Sequence, residues 1–146
     1  MSRRKRAPSE ELPSAARLLG RRLLHFDADS GTASLEFIAR PEFANRHGTV
    51  QGGILAAMLD SATGATIMAS LPAELTAVTV QLNTTFLKPA PIGPLCAAAR
   101  IVTKEDRDAT VEVEITTPDG EVVTRGSAHL RILRRRRHVE ASKAKY

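Results

Sequence analysis

Between Gly48 and Ala73 the only ionisable side chain is Asp60, set in a run that is otherwise apolar or small. At helical spacing Gly53, Ala56, Ala57, Thr63 and Gly64 fall on the faces beside it, so small neighbours leave open volume around the carboxylate. One reading of Asp60 is a partly exposed surface acid. The other is a functional group, favoured because burying an unpaired carboxylate costs several kcal/mol and such groups usually have a partner or a task. The start of the same run adds a second ingredient. Val50, Gln51, Gly52 and Gly53 would present free backbone N–H groups at the positive end of a helix dipole, and two glycines let a ligand approach closely. A carbonyl held by those donors has its carbon polarised, and a water held by a carboxylate can attack it. Helix-end donors plus a carboxylate suit acyl transfer.

Other arrangements fit less well. His25, His47, His129 and His138 show no metal-ligand spacing, so no metal site is expected; His47 reads as a loop residue and His129 as a strand-face residue. No Gly-x-Ser-x-Gly elbow and no Gly-x-x-x-x-Gly-Lys phosphate loop occurs. Aromatic residues make up 3% of the chain, too few for the stacking platforms of a single-strand nucleic-acid binder.

The elements that must position these groups follow from periodicity. Leu12, Ala15, Ala16 and Leu19 predict a short amphipathic helix over 8–19, begun by Ser9 with Glu10 and Glu11 in its first turn. Residues 22–28 and 32–39 read as a hairpin around Asp27, Asp29, Ser30 and Gly31. A polar loop over 41–47 leads to a long helix from about Val50 or Gly53 to Ala69, closed by Leu71 and Pro72, and apolar on nearly every side as a buried helix is. Over 77–87, Val78, Val80, Leu82 and Phe86 alternate with Thr79, Gln81, Asn83 and Thr85, the pattern of a half-buried strand. Strands at 95–104, 109–117 and 121–133 complete one α+β domain, an antiparallel sheet around a central helix.

The 146 residues suffice for one such domain, and the lone Cys96 fits a reducing, cytoplasmic setting. Arg3, Arg4, Lys5 and Arg6 are not followed by an apolar run, so no export signal is expected. The net charge of +5 is unevenly divided: residues 1–7 and 134–146 hold ten Lys or Arg against Glu140 alone, while 8–133 hold eleven against fifteen acids. The two ends therefore read as flexible basic tails flanking a domain over 8–133, with no dedicated nucleic-acid or membrane partner expected.

Asn45-Arg46-His47-Gly48-Thr49-Val50-Gln51-Gly52-Gly53, followed by six residues and Asp60, resembles the hotdog-fold thioesterases of the phenylacetate-degradation type. The resemblance runs from about Leu18 to Leu133. It takes in the strand Val78-Thr79-Val80-Gln81-Leu82-Asn83, the step Phe86-Leu87-Lys88-Pro89-Ala90 with Gly93, and the hairpin at Asp119-Gly120. It implies six strands wrapped around the long helix, subunits joined edge to edge as homodimers that pair into tetramers, and active sites between subunits. It also implies that Gly52 N–H polarises the thioester carbonyl and Asn45 helps place substrate or water. Asp60 of the partner subunit would be general base or nucleophile, and Thr79 would supply a water-orienting hydroxyl. Without the resemblance, Asn45 reads equally as a loop cap and Thr79 as an ordinary strand threonine.

Most relatives carry His where this chain has Gln51, which donates a hydrogen bond but does not titrate near neutral pH. The expected substrate is an acyl-CoA, with a medium aliphatic chain favoured by the scarcity of aromatics and no cofactor beyond the CoA it carries. Gly53 would allow close approach, and Lys88, with Arg46 and Arg100, would meet the CoA phosphates. The alternatives are a non-catalytic acyl-CoA binder or sensor and, last, a dehydratase, which would need a catalytic His.

Overall fold

A computed structural model describes residues 12–136. The first helix, Ser14–Leu18 (α1), is shorter than the predicted one, with Pro13 as its N-cap residue. Ser9, Glu10 and Glu11, expected to start it, lie outside the described residues, as do residues 1–7 and 137–146 of the basic ends.

Strands Arg22–Asp27 (β1) and Thr32–Ala39 (β2) form the expected hairpin. Gly31 turns it in the left-handed region at φ 68°, where a side chain would meet Ile101. A 3-10 turn at Pro41–Phe43 leads to the long helix Gly52–Ser70 (α2). Four strands follow: Leu75–Phe86 (β3), Gly93–Lys104 (β4), Asp108–Thr116 (β5) and Val122–Arg134 (β6). They form one antiparallel sheet in the order β1-β2-β4-β5-β6-β3, with α2 laid across one face and touching every strand. This is the hotdog arrangement.

Alternation makes the sheet face. Ala33, Leu35, Phe37 and Ala39 of β2 are buried, as are Ala109, Val111, Val113 and Ile115 of β5, while Glu112 and Glu114 point to solvent. Against them α2 buries the small Ala62 and the large side chains of Leu55, Met58, Leu59 and Ile67, which contribute about 1.5–3 kcal/mol each. Thr63 and Thr66 share this buried stripe because their hydroxyls donate to the carbonyls of Leu59 (3.0 Å) and Ala62 (2.7 Å).

Where α2 crosses β6, Gly126 lets the helix come close. A Cβ there would stand 2.7 Å from the Asn83 carbonyl oxygen and 3.0 Å from Leu59 Cδ1. Gly126→Ala is accordingly expected to lower stability by about 1–3 kcal/mol, read as a fall in the denaturation midpoint at unchanged m-value.

β3 departs from its predicted pattern. A bulge between Thr79 and Gln81 switches its parity. Thr79 pairs with buried Leu130 and Leu82 with buried Ala128, so Ala77 and Thr79 face α2 before the bulge, and Leu82, Thr84 and Phe86 after it. Val78 pairs with Arg131 on the opposite face and Val80 is taken up in the bulge, so neither shares the face of Leu82 and Phe86 as expected. β3 is also an edge strand, hydrogen-bonded to β6 on one side and to no described strand on the other.

Candidate active site

Asp60 is exposed, together with Gly53 and Ala57, on the part of α2 that the sheet leaves uncovered, at the flank beside β3. The expectation of a helix buried all round fails within the single chain for a geometric reason: one helix on one sheet has only one face to bury. The small residues on the other face leave the carboxylate open. Thr79 donates its hydroxyl to Asp60 Oδ1 at 2.6 Å, tying the carboxylate to β3 directly before the bulge. Without the bulge, strand parity would not present Thr79 and Leu82 to the same side. Next to Asp60, Arg21 donates Nη1 to the carbonyl and hydroxyl of Ser61, at 3.3 and 3.0 Å. Burial lowers the Arg21 pKa.

The second part of the site is at the start of α2. The Val50 and Gln51 amides are used, donating to Ala90 and Phe43 carbonyls at 2.9 and 2.8 Å. The Gly52 and Gly53 amides have no acceptor among the described residues. Gln51 is the N-cap residue, yet its exposed side chain makes no capping hydrogen bond. Gly52 lines a cleft of about 400 Å³ with Asn45, His47, Leu55, Phe86 and Lys88 among its walls. The Phe86 ring lies 3.4 Å from where a Gly52 Cβ would stand, so a larger side chain there would push the ring aside. Gly53 is exposed with open space around it, outside the cleft wall.

Asn45 organises the entry loop. Its Oδ1 accepts from the His47 and Thr49 amides at 2.9 and 3.2 Å, and its Nδ2 donates to Thr49 Oγ1 at 3.0 Å. Gly48, at φ 76°, completes the turn by donating to the Asn45 carbonyl at 3.1 Å. The loop-cap reading of Asn45 thus describes its contacts within the chain, and its side chain also borders the cleft. Lys88 borders the cleft with its ammonium ion-paired to Glu121.

The chain therefore brings together Asp60 with Thr79, and Gly52 with Asn45 and Lys88, but does not join the two sets. Gly52 and Asp60 are eight residues apart on one helix, a rise of about 12 Å, too far for both to act on one carbonyl. The residues that sequence reasoning missed as parts of the site are Phe86, which reads as a strand-face residue opening the family-like step to Lys88, and Glu121, which reads as a strand start. His47 is the loop residue expected, but it also lines the cleft. Among the described residues no group of three His, Cys, Asp or Glu side chains could hold a metal ion. One further titratable cluster lies on the sheet, where hydrogen bonds from His129 (2.9 Å) and Arg131 (3.2 Å) help lower the Asp108 pKa.

The thioesterase superfamily model matches residues 47–124, from the cleft loop through α2 to the start of β6. A phenylacetic acid degradation-related protein from Ralstonia eutropha JMP134 is 31% identical with a TM-score of 0.81, covering 85% of this chain and 93% of that one. A Bacillus halodurans protein solved with CoA is 28% identical with a TM-score of 0.74, covering 86% of this chain and 79% of that one. A Halobacterium salinarum relative, provisionally named an esterase, is 32% identical over 97 residues. That match covers 63% of this chain and 64% of the relative, so the chain spans just under two thirds of that relative's length.

Proposed function

Since the chain belongs to the thioesterase superfamily, with the hotdog fold of the phenylacetate-degradation type, we propose that it hydrolyses acyl-CoA thioesters at sites formed between two subunits. The observation that carries the reading is the separation of Gly52 from Asp60 on one helix beside an unpaired edge strand. Two-fold pairing of β3 with a second β3 extends the sheets edge to edge. The two α2 helices then meet across the axis, and the small-residue face of one lies against the helix start of the other. Asp60 of one subunit thereby comes opposite the free Gly52 amide of its neighbour, and pairs of such dimers make tetramers.

In this site the thioester oxygen accepts from Gly52 N–H, with the positive end of α2 behind it, so negative charge gathering on the oxygen is stabilised. Asp60 acts as general base, taking a proton from a water that attacks the carbonyl carbon, or attacks it directly as nucleophile. In the first case the C–S bond breaks and the proton held by Asp60 passes to the departing sulfur, giving CoA thiol and free acid; in the second the C–S bond breaks to leave an Asp60 mixed anhydride, which water hydrolyses, restoring the carboxylate, releasing the acid and supplying the thiol proton. The Thr79 hydroxyl occupies Oδ1 and leaves Oδ2 for this chemistry. Asn45 Nδ2 and Gln51 help place carbonyl or water, Gly53 admits the substrate closely, and Lys88 meets CoA phosphate. The Bacillus halodurans neighbour solved with CoA supports the CoA part of the reading.

A cytoplasmic enzyme fits the single unpaired Cys96. Gln51, which cannot titrate near neutral pH, favours a second reading as an acyl-CoA binder without turnover. The expected result is release of free CoA thiol from a panel of acyl-CoAs, by a species that light scattering shows to be larger than one chain. Binding of acyl-CoA without thiol release would leave the binder, and a monomer that is fully active would remove the shared site.

A further inference from the structure

We propose that Glu121 sets how tightly the site holds the phosphate-bearing end of its substrate, by competing with phosphate for the Lys88 ammonium; the inference rests on the acyl-CoA reading above. Among the described residues Lys88 is the only Lys or Arg lining the Gly52 cleft, and its ammonium is paired with the Glu121 carboxylate. Both residues are anchored through their backbones. The Leu87 and Lys88 amides donate to the Val123 carbonyl at 2.9 and 3.1 Å, fixing the chain just past β3. Glu121 closes the turn between β5 and β6: its amide donates to Thr117 Oγ1 at 3.3 Å, and its carbonyl accepts from the Thr117 amide at 2.9 Å. Two elements distant in sequence are thus held so that cation and carboxylate meet at the cleft rim.

The pair is easily exchanged. Its side chains are 56% and 50% exposed, so water screens their attraction and the contact is weak. A phosphate group, more highly charged and with several acceptor oxygens, takes the ammonium from a carboxylate in such a setting. The acid thus lowers affinity for the phosphate-bearing portion and leaves the thioester end alone, which favours release of the CoA product.

Glu121→Gln tests this, since the amide keeps an oxygen for the ammonium and the turn's hydrogen bonds come from backbone groups and Thr117. Calorimetric titration with CoA is expected to show about fivefold tighter binding than wild type, the scale of one exposed charge contact. Binding of pantetheine, which lacks the phosphates, should not change, and the CoA gain should vanish when Lys88→Met is combined with Glu121→Gln. Unchanged or weaker CoA binding in Glu121→Gln overturns the inference, as does an equal gain for pantetheine or a gain that survives Lys88→Met. Failure of wild type to bind CoA overturns it together with the CoA reading. CoA binding without thioester turnover rejects hydrolysis alone, and the effect on CoA affinity still decides the role of Glu121.

Discussion

Asp60→Asn is expected to lower acyl-CoA turnover by at least about a hundredfold, the contribution of a positioned general base, while folding and assembly are retained. Asparagine has the same shape and keeps an oxygen to accept from Thr79, so the 2.6 Å contact between α2 and β3 has a replacement. The side chain is exposed in the single chain, and no packing is lost. What disappears is the capacity to take a proton or to attack carbon. Free-thiol release measured beside thermal unfolding and light scattering checks the result. Equal turnover in a properly assembled variant would remove Asp60 from the chemistry.

Gly52→Pro should have a comparable effect from the other end of the site, lowering kcat by about 100- to 1,000-fold through loss of one oxyanion donor. Proline deletes the N–H in question and also brings its ring against Phe86, 3.4 Å from where a Gly52 Cβ would stand, so the fall is read in kcat, with KM and thermal unfolding measured beside it to register the displaced ring. Gly52 is the first residue of α2, where proline is well accommodated, and Gln51 before it has φ −56° and ψ 134°, the extended conformation that a following proline requires. Its amide has no acceptor to lose among the described residues.

The two variants together report on where the site lies. Each is inactive alone, but a mixed dimer holds one site built from an intact Gly52 and an intact Asp60. Random reassociation of equal amounts makes about half the dimers mixed, so roughly a quarter of wild-type turnover should return. No recovery, with subunit exchange confirmed by mass, would place the whole reaction within one chain.

Much of this architecture was legible in the residues. The alternation of Ala33, Leu35, Phe37 and Ala39, and of Ala109 through Ile115 with Glu112 and Glu114, marks strands with one buried face, and the structure has them within a residue or two of the predicted ends. α2 announced itself through its glycine start and a length interrupted by one charge, Asp60. The short first helix was drawn too long because Ser9, Glu10 and Glu11 look like a cap, whereas the described helix starts only after Pro13. The strand Leu75–Phe86 was read as one uninterrupted alternation. A bulge leaves no mark in hydrophobicity, so the parity switch that turns Thr79 toward Asp60 was invisible.

Strand order was equally hidden, since nothing local to β3 says that it lies beside β6, and without that order neither the free edge nor the meeting of Lys88 with Glu121 can be foreseen. Of the candidate site, Asp60 and Gly52 stood out by residue type and position alone. Asn45, Thr79 and the side chain of Gln51 came forward only through family resemblance, because an asparagine in a loop and a threonine in a strand carry no distinguishing signal of their own.

The outer face of α2 has a further consequence for anyone seeking a hardier version of this protein. Gly53 and Gly64 lie within the helix with open space where a side chain would stand, so alanine at either would raise helix stability by about 0.5–1 kcal/mol. Such replacements are among the commonest routes to thermostabilisation, and here they would add methyl groups to the surface that must receive a neighbouring subunit and a thioester. Heat tolerance and catalytic room are drawn from the same atoms, so selection for one on this helix works against the other.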